Sequence, residues 1–546
     1  MASPSSSHPE FCGALSGAIL PAGDSNVFSW FSTLRMSELV GFDLPLGILG
    51  FYWELVRDRD LSPRDKRLLH LFFLSFHLIK ERGSTRVSLL GPGSIEALLS
   101  TIPPGNIPYT ASETLDRFQD LLGSGKLEDL VATVDDVVFE TVETQIAPFI
   151  LTRGFLQDLR TLAQEVALLR DLQTLMDAAA LGNIELTEAQ SSFLTPAGKR
   201  VPLDESQIAA VKMAGNGRFT VISGGPGTGK TSVILSILRV YQQIHGDSFM
   251  FALAAPTGKA AYRMCSSVLS ALPKKRSAQN QALADRVIPF TLHRLLEYHF
   301  QRSSFGKGRN NPLLQHLIIV DEASMVELSL MARLLSALGD NTSLVLTGDA
   351  HQLPSVGTGA VLRDLVTAQS AHVKILKTNH RSDKRISSAA QCIKDGDSFS
   401  LVVNHITPAQ HVDFSLQGLW QVSLDTPERL GAFLESWASS EHSLTGLWDR
   451  FRGIHLDPSE GFASHHELLA QAFSLLSNSA LLCATNELDR GTHEINTWFH
   501  RQHPDFYGRR PADPLEGEPV IVLTNDYRYR LFNGDMGIVV TIREGS

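Results

Sequence analysis

The sequence predicts an α/β fold that follows a mainly helical N-terminal domain. From Leu203 onward, apolar runs of strand length alternate with helical stretches, at residues 219–222, 250–254, 317–320 and 343–346. This alternation is typical of a parallel sheet that binds ligands at the carboxyl ends of its strands. A glycine-rich stretch follows the first of these strands, and charged or polar residues follow the later ones. The carboxyl ends are therefore the expected position of the functional site.

Length and composition limit the classes of protein to which this chain can belong. The chain has 546 residues, 43% hydrophobic and 19% charged, as in globular proteins with about three or four domains. A net charge of −10 means that any nucleic-acid binding must be local. The four cysteines (Cys12, Cys265, Cys392 and Cys483) are far apart, which argues against a disulfide framework or zinc site. With no signal peptide and no apolar run of membrane length, we expect a cytoplasmic protein without membrane contact.

Residues 1–195 form the predicted N-terminal domain. Helical spacing of apolar residues is clearest at 64–79 and 152–176. Residues 113–143 contain nine acidic and two basic residues. This segment is either a solvated helical face or a docking surface for a basic partner, and the first interpretation is favoured. The polar connector at 196–202 marks the predicted domain boundary.

The central motif follows the first strand of the α/β region. It matches G-x-x-x-x-G-K-[ST] and consists of Gly224, Gly225, Pro226, Gly227, Thr228, Gly229, Lys230 and Thr231. Glycines at this spacing let several backbone N–H groups converge on a phosphate at a helix N-terminus. Lys230 is predicted to reach the phosphates of ATP, and the Thr231 hydroxyl to bind Mg²⁺.

Two later strands end in residues suited to the same site. Asp321 and Glu322 follow an apolar strand, so Asp321 can hold Mg²⁺ through water and Glu322 can polarise the attacking water. Gln352, in the loop after the next strand, can sense the γ-phosphate or that water. The alternative for Asp321 and Glu322 is an ordinary charged turn, and the upstream phosphate loop favours the functional interpretation. For Gln352 the spacing alone is a weak signal.

A basic segment with interleaved aromatic residues lies between these motifs. Residues 256–309 contain ten Lys or Arg against two acidic residues, with Tyr262, Phe290, His293, Tyr298 and Phe300 among them. Such a composition suits a groove that follows phosphates and stacks bases. A solvated loop over core aromatics is the alternative, and it is favoured for 274–276.

In combination, the motifs resemble superfamily 1B DNA helicases, and within them the RecD group, the alpha subunit of exodeoxyribonuclease V. The phosphate loop, DEAS at 321–324 and GDAHQLPSVG at 348–357 occur in the expected order. Further matches are LDESQIAAV at 203–211, APTGKAA at 255–261, TLHRLL at 291–296, NHR at 379–381 and LFNGDMG at 531–537. The resemblance extends from about residue 150 onward.

The resemblance implies a P-loop NTPase with two RecA-like lobes, at 196–370 and 371–546, and a small β-barrel insertion from about residue 515. It implies ATP-driven, Mg²⁺-dependent 5′→3′ movement on single-stranded DNA and unwinding of duplex ends in double-strand-break repair. The implied partners are RecB-like and RecC-like subunits in a heterotrimer, with residues 1–195 as the docking domain. The sequence shows no acidic nuclease cluster, so cleavage is expected to belong to a partner.

The resemblance also assigns roles to individual residues. Gln207 matches the glutamine that reads adenine, and Arg381 matches an arginine that reaches the γ-phosphate together with Lys230. DNA contact is implied for six residues: Pro256, Thr257, Lys259, Thr291, His293 and Arg294.

The family pattern also contains a TVHKSQG-like motif and a second arginine, which are not found after Arg381. We therefore expect an incomplete second lobe, and a chain that binds ATP–Mg²⁺ but hydrolyses it poorly by itself. Three alternatives stay open: a nucleotide- and DNA-binding subunit without turnover, a free-standing RecD-like helicase, and another P-loop enzyme such as a small-molecule kinase.

Overall fold

The structure is a computed structural model that describes residues 46–542 with internal gaps. The gaps of three or more residues are 102–109, 136–141, 180–183, 195–199, 274–276, 381–383, 398–403, 407–411, 415–418, 452–454, 457–464 and 503–514. Contacts divide the chain into two compact units, residues 1–256 with 260–378, and residues 257–259 with 379–546. Within the described part, no helix combines the length and the apolar composition needed to cross a membrane.

The N-terminal region contains helices and a small sheet around one apolar core. Its elements are α1 (Leu46–Arg57), α2 (Pro63–Lys80), α3 (Ile95–Ser100), α4 (Ala111–Gly123), β1 (Val87–Ser88), β2 (Val131–Thr133), β3 (Phe149–Thr152) and β4 (Phe155–Asp158). Ser62 caps α2, and Phe72 from that helix stacks on Phe118 of α4 with ring centroids 3.9 Å apart. The four strands pair in the order β1-β4-β3-β2. The predicted helical character is confirmed, and the sheet is an addition that the helical spacing did not indicate.

The helix predicted at 152–176 begins later than expected. It is α5 (Leu159–Met176), with Asp158 as its N-cap, because the preceding residues form the β3–β4 hairpin. Arg153 and Gly154 turn that hairpin with φ values of 48° and 79°. Over a run as short as 149–158, the spacing of apolar residues is compatible with either a helix or a β-hairpin. The spacing alone therefore placed the start of the helix too early.

Helix α5 packs on the α/β region rather than on the N-terminal core. Leu168 and Leu172 share a buried cluster with Leu330 and Leu334. The polar segment at 196–202 also differs from a simple connector, since β5 (Ser192–Leu194) and β6 (Arg200–Pro202) pair as antiparallel strands. The boundary predicted at residue 195 stays a prediction.

The α/β region is built on a six-stranded parallel sheet. Its strands, with one separate hairpin, are β7 (Phe219–Gly224), β8 (Phe251–Ala255), β9 (Pro289–Thr291), β10 (Tyr298–His299), β11 (Ser304–Phe305), β12 (Leu317–Val320), β13 (Ser343–Gly348) and β14 (Val373–Leu376). The sheet order is β14-β7-β13-β12-β8-β9, and β10 pairs only with β11. All sheet pairs are parallel. The α/β class is therefore confirmed, and all carboxyl ends meet at one edge.

Helices cover both faces of the sheet. Successive strand side chains point to opposite faces, and each face carries its own cluster of buried apolar residues. Phe219 and Val221 belong to one cluster with α5, whereas Ile222 belongs to the other. The covering helices are α6 (Glu205–Asn216), α7 (Lys230–His245), α8 (Gly258–Ser270), α9 (Ala278–Asp285), α10 (Leu292–Leu295), α11 (Leu328–Ser336) and α12 (Val361–Thr367).

The second unit contains helices and short paired strands in its described residues. Its elements are α13 (Lys384–Asp395), α14 (Pro427–Ala438), α15 (Trp448–Phe451), α16 (His466–Asn478), α17 (Thr492–Gln502), β15 (Asn404–Ile406), β16 (Trp420–Val422), β17 (His455–Leu456), β18 (Pro519–Ile521), β19 (Met536–Ile538) and β20 (Thr541–Ile542). The strands predicted at 520–524 and 538–542 correspond to shorter ones: β18 pairs with β19, and β20 pairs with β17. Phe451 and Leu468 pack in a small core with Ile538.

Candidate active site

The phosphate loop connects β7 to α7 at the carboxyl edge of the sheet. Gly227 and Gly229 have φ values of 80° and 79°, which side chains other than glycine rarely tolerate. Gly229 is also the N-cap of α7, and it offers no side chain to cap the first N–H groups of the helix. These N–H groups and the helix dipole together favour an anion at this position.

Side chains of the phosphate loop donate hydrogen bonds to carbonyl oxygens of the same loop and so stabilise its conformation. The Lys230 Nζ donates to the carbonyl oxygens of Gly224 at 2.6 Å and Gly225 at 3.4 Å, and the Thr228 hydroxyl donates to Gly225 O at 2.9 Å. A Cβ at Gly224 would lie 2.5 Å from the Thr228 Oγ1, so a larger residue there would displace the Thr228 side chain. Pro226 is exposed, and Thr231 is half-buried in the first turn of α7. The eight predicted residues therefore form one continuous cradle.

Gln207 lies beneath this loop rather than on the surface. Its side chain is 1% exposed, and its Nε2 donates to the Thr228 carbonyl oxygen at 3.0 Å. The other end of the amide, Oε1, accepts from the Asp204 N–H at 3.0 Å in a capping box of α6. The structure thus gives Gln207 a loop-supporting position, and adenine recognition by it stays a prediction.

Asp321 and Glu322 follow β12 beside the loop. The Thr347 hydroxyl donates to Asp321 Oδ1 at 2.6 Å, and the Asp321 N–H donates to Ala254 O at 2.9 Å. Glu322 has a φ of 52°, a left-handed conformation that non-glycine residues seldom adopt. Such strain is concentrated at functional sites in proteins.

Charged residues from several of the motifs act on the Glu322 carboxyl. Burial raises the pKa of the Glu322 carboxyl, and the negative charges of Asp321 and Asp349 act in the same direction. The positive charges of Lys230 and Arg263 oppose that rise in pKa. A carboxyl with a raised pKa is suited to accept a proton from water near neutral pH.

The loop after β13 completes the site. Asp349 is 8% exposed, and a Cβ on Gly225 would lie 3.8 Å from its Oδ2. The Ala350 N–H donates to the Ser223 hydroxyl at 3.4 Å. Gln352 is exposed on this loop, and its N–H donates to Asp349 O at 3.1 Å. Gln352 thus lies two residues after the contact of this loop with Ser223, and its role at the γ-phosphate stays a prediction. Arg381 lies outside the described residues.

Three residues of this site were missed by the sequence analysis. Asp349 lies inside a motif that was recognised, so its position after a strand could have indicated it. Ser223 and Thr347 are hydroxyl residues inside apolar strands, and nothing in the local sequence distinguishes them from structural residues. Only the strand pairing of β7, β13 and β12 brings them to the site.

The predicted DNA-contacting residues follow β8 and β9. Pro256 comes directly after β8, Thr257 directly precedes α8, and Lys259 lies in the first turn of that helix. Thr291 is buried and caps α10, since its hydroxyl accepts from the Arg294 N–H at 3.2 Å. Beyond it, His293 and Arg294 are exposed. Contact of these six residues with DNA stays a prediction.

Next to α10, an aromatic cluster surrounds the β10–β11 hairpin. Tyr298 lies 5.4 Å from His293 and 4.8 Å from Phe305 between ring centroids. Phe300, in the turn of the hairpin, is 89% exposed. Exposed rings beside basic side chains are the arrangement that stacks bases of single strands.

Comparisons with known proteins support the motif assignment. The AAA domain family model matches residues 207–358. The RecBCD enzyme subunit RecD of Mycolicibacterium smegmatis is 35% identical over 352 residues, which cover 62% of this chain and 58% of that protein. The resemblance to the RecD group is confirmed.

Two further relatives also carry RecD names. RecBCD enzyme subunit RecD of Haemophilus influenzae is 29% identical over 61% of this chain and 57% of its own length. The ATP-dependent RecD2 DNA helicase of Deinococcus radiodurans is 30% identical over 70% of this chain and 43% of its own. This chain therefore spans little more than half the length of the RecD proteins that it matches.

Proposed function

We propose that this chain is an ATP-dependent 5′→3′ DNA helicase or translocase subunit of a RecBCD-type exodeoxyribonuclease V. The observation that carries the proposal is the convergence of Lys230, Asp321, Glu322 and Asp349 at one edge of the sheet. The charges of Lys230, Asp321 and Asp349 all act on the pKa of Glu322, which supports the proposal that these motifs share one site. The relatives named RecD support the choice of this function among P-loop enzymes.

The residues present fit a nucleotide with a divalent cation. The Thr231 hydroxyl and the Asp321 carboxylate are hard oxygen ligands, and Thr347 orients the carboxylate by its 2.6 Å hydrogen bond. These two residues would hold Mg²⁺, which neutralises phosphate charge when bound. Lys230 and the loop N–H groups bind the phosphates, while Glu322 accepts a proton from the attacking water. Gln352 and Arg381 are proposed to sense and stabilise the γ-phosphate.

The proposed DNA surface follows β8 and β9. Its basic and aromatic side chains supply phosphate attraction and stacking, although the whole chain is acidic. Pro256, Thr257, Lys259, Thr291, His293 and Arg294 are proposed to contact single-stranded DNA. Duplex ends are the proposed substrate, with RecB-like and RecC-like chains as partners in the cytoplasm.

The decisive experiment measures ATP hydrolysis by the purified chain with and without single-stranded DNA. From this chain by itself we expect a low rate that single-stranded DNA raises. Lys230→Ala should lower that rate by about 10²-fold or more, because the positive charge that stabilises the phosphates is lost. Lys212→Ala is the matched control, since Lys212 is an exposed lysine on α6. Equal rates for Lys230→Ala and the parent chain would overturn the site assignment.

The same assay separates the alternative functions. Tight ATP binding without turnover, with or without DNA, would indicate a non-hydrolysing binding subunit. Phosphorylation of a metabolite that ignores DNA would indicate a kinase. Either result contradicts the helicase proposal.

A further inference from the structure

A second polar cleft, of about 560 Å³, lies beside the C-terminal half of α7. Three segments wall it: the stretch around the β5–β6 hairpin, α7 itself, and the beginning of α9. Hydrogen bonds connect these walls, since Gln190 Nε2 donates to Gln243 Oε1 at 2.6 Å and Gln242 Nε2 donates to Gln279 O at 3.0 Å. Side chains of α7 are therefore bonded to both of the other walls of the cleft.

The charges that line the cleft are positive. Arg200 and Arg239 both line it, and among its described lining residues there is no Asp or Glu. Burial lowers the pKa of Arg239, and the nearby positive charge of Arg200 lowers it further. Glu188 pairs with Arg200 at 2.6 Å, but that carboxylate is 80% exposed and screened by water. Two arginine side chains thus line one polar cavity, and the charge of Arg200 acts on Arg239.

The beginning of α9 adds a second feature that favours an anion. Ser277 is the N-cap of this eight-residue helix, and Ser277 and Asn280 both line the cleft. The positive end of the helix dipole therefore faces the same cavity as the two arginines.

This cleft is separate from the phosphate loop. Arg239 follows Lys230 by nine residues in α7, which is roughly 14 Å along a helix. Gln242, Gln243 and Gly246 extend the lining further toward the end of that helix. A nucleotide in the phosphate loop does not explain arginines at this distance.

We propose that the cleft binds a phosphate group through Arg200 and Arg239. The fork-shaped guanidinium is the side chain best suited to bind phosphate oxygens in pairs. The neutral amides of Gln242, Gln243 and Asn280 provide further donors. The phosphate belongs either to a small phosphorylated molecule or to the backbone of single-stranded DNA, and the experiment below separates these sources.

The test uses the full chain carrying Lys230→Ala, so that binding at the phosphate loop is weakened. Pyrophosphate is titrated by calorimetry, and a fluorescent 20-nucleotide thymidine strand by anisotropy at several salt concentrations. The variants are Arg200→Gln alone, Arg200→Gln with Arg239→Gln, and the control Lys212→Gln. Arg200 is exposed on a hairpin, so its single replacement keeps the test valid if the half-buried Arg239 proves necessary for folding.

We expect the double variant to bind pyrophosphate about ten-fold more weakly, and Arg200→Gln to show a smaller loss. If the natural phosphate is in DNA, the double variant also binds the strand more weakly, and its salt slope falls by about 0.7 per lost phosphate contact. If DNA binding is unchanged while pyrophosphate binding falls, the ligand is a small phosphorylated molecule. Binding of both probes that matches the Lys212→Gln control would overturn the proposal.

Discussion

At the scale of single residues, Glu322 combines a strained backbone with an unfavourable charge. Its φ of 52° and the raised pKa of its carboxyl both oppose folding at neutral pH. A carboxyl whose pKa is raised in the folded state binds its proton more tightly there than in the unfolded chain. Stability is therefore lost as pH rises above the ordinary value of 4.5 and through the raised pKa.

Glu322→Gln should consequently separate activity from stability. We expect ATP hydrolysis to fall by about 10²–10⁴-fold, because the proton acceptor is removed. The free energy of unfolding should exceed that of the parent at pH 8, and the difference should shrink as pH approaches 4.5. Steady-state rates and denaturant titrations at both pH values measure this.

Glu297→Gln is the matched control for this substitution. Glu297 also has a left-handed backbone, with a φ of 53°, but its side chain is exposed. We expect nearly unchanged turnover and stability from it. A loss of stability at pH 8 in Glu322→Gln would contradict the assigned electrostatic cost.

Thr347 orients Asp321, and this hydrogen bond can be tested separately from the carboxylate itself. Thr347→Val removes the buried donor while nearly preserving shape. We expect the Mg²⁺ concentration for half-maximal hydrolysis to rise about 10- to 100-fold, as when supporting hydrogen bonds to metal ligands are lost. Thr347→Ser keeps the hydroxyl and should restore most of the affinity. Mg²⁺ dependence unaltered by Thr347→Val would show that Asp321 needs no such support.

At the scale of elements, the β10–β11 hairpin carries an aromatic side chain, Phe300, that is not packed in the core. Tyr298 and Phe305 pack together at its base, whereas Phe300 is 89% exposed in the turn. An exposed phenylalanine contributes little to folding, so Phe300 can be replaced without uncovering the core. Arg302 in the same turn adds a positive charge.

Phe300→Ala should weaken binding of single-stranded DNA by about 1–3 kcal/mol if one base stacks on this ring. The melting temperature should stay unchanged because the side chain is exposed. Leu314→Ala is the control, since Leu314 is 72% exposed in the same unit and has no ring to stack. Fluorescence anisotropy measures both affinities, and an equal small effect from the two variants would argue against stacking.

At the scale of the whole molecule, charge is distributed unevenly. The chain carries −10 overall, while the proposed DNA surface is basic and the N-terminal helix α4 is acidic. Asp116 and Asp120 are exposed on α4. Such patches influence which partners associate and how fast, more than they influence the fold.

Reversing charge on α4 tests the proposed partner docking. Docking through α4, the alternative to a solvated face, predicts that Asp116→Lys with Asp120→Lys reduces affinity for co-expressed RecB-like and RecC-like chains by about ten-fold, because a basic partner surface would be repelled. Glu435→Lys with Glu441→Lys changes the total charge equally at exposed positions of the second unit and should leave assembly intact. Equal recovery of the complex from both pairs, by co-purification at moderate salt, would favour a merely solvated α4.

Substitution is a better test here than deletion of residues 1–195. Leu168 and Leu172 of α5 are buried against α11, so removing them would uncover the core of the α/β region. A failure to assemble would then report misfolding rather than a lost docking surface.

Local sequence determined the main elements and most of the candidate nucleotide site. Strand and helix periodicity depends on neighbouring residues, so the strands around 219–222 and 317–320 were predicted correctly, within a few residues at their ends. Spacing within the phosphate loop likewise fixes the backbone geometry that Lys230 needs. The motifs after β12 and β13 could be assigned to the same site because parallel strands end at one edge.

Tertiary structure decided the relations between residues that are distant in sequence. The bond from Thr347 to Asp321, the support of Thr228 by Gln207, and the cleft between Arg200 and Arg239 all join separate segments. The packing of α5 on the sheet and the hairpin at 149–158 also depended on such contacts. Burial and distance through space set these hydrogen bonds and the raised pKa of Glu322, and neither quantity is encoded in local spacing.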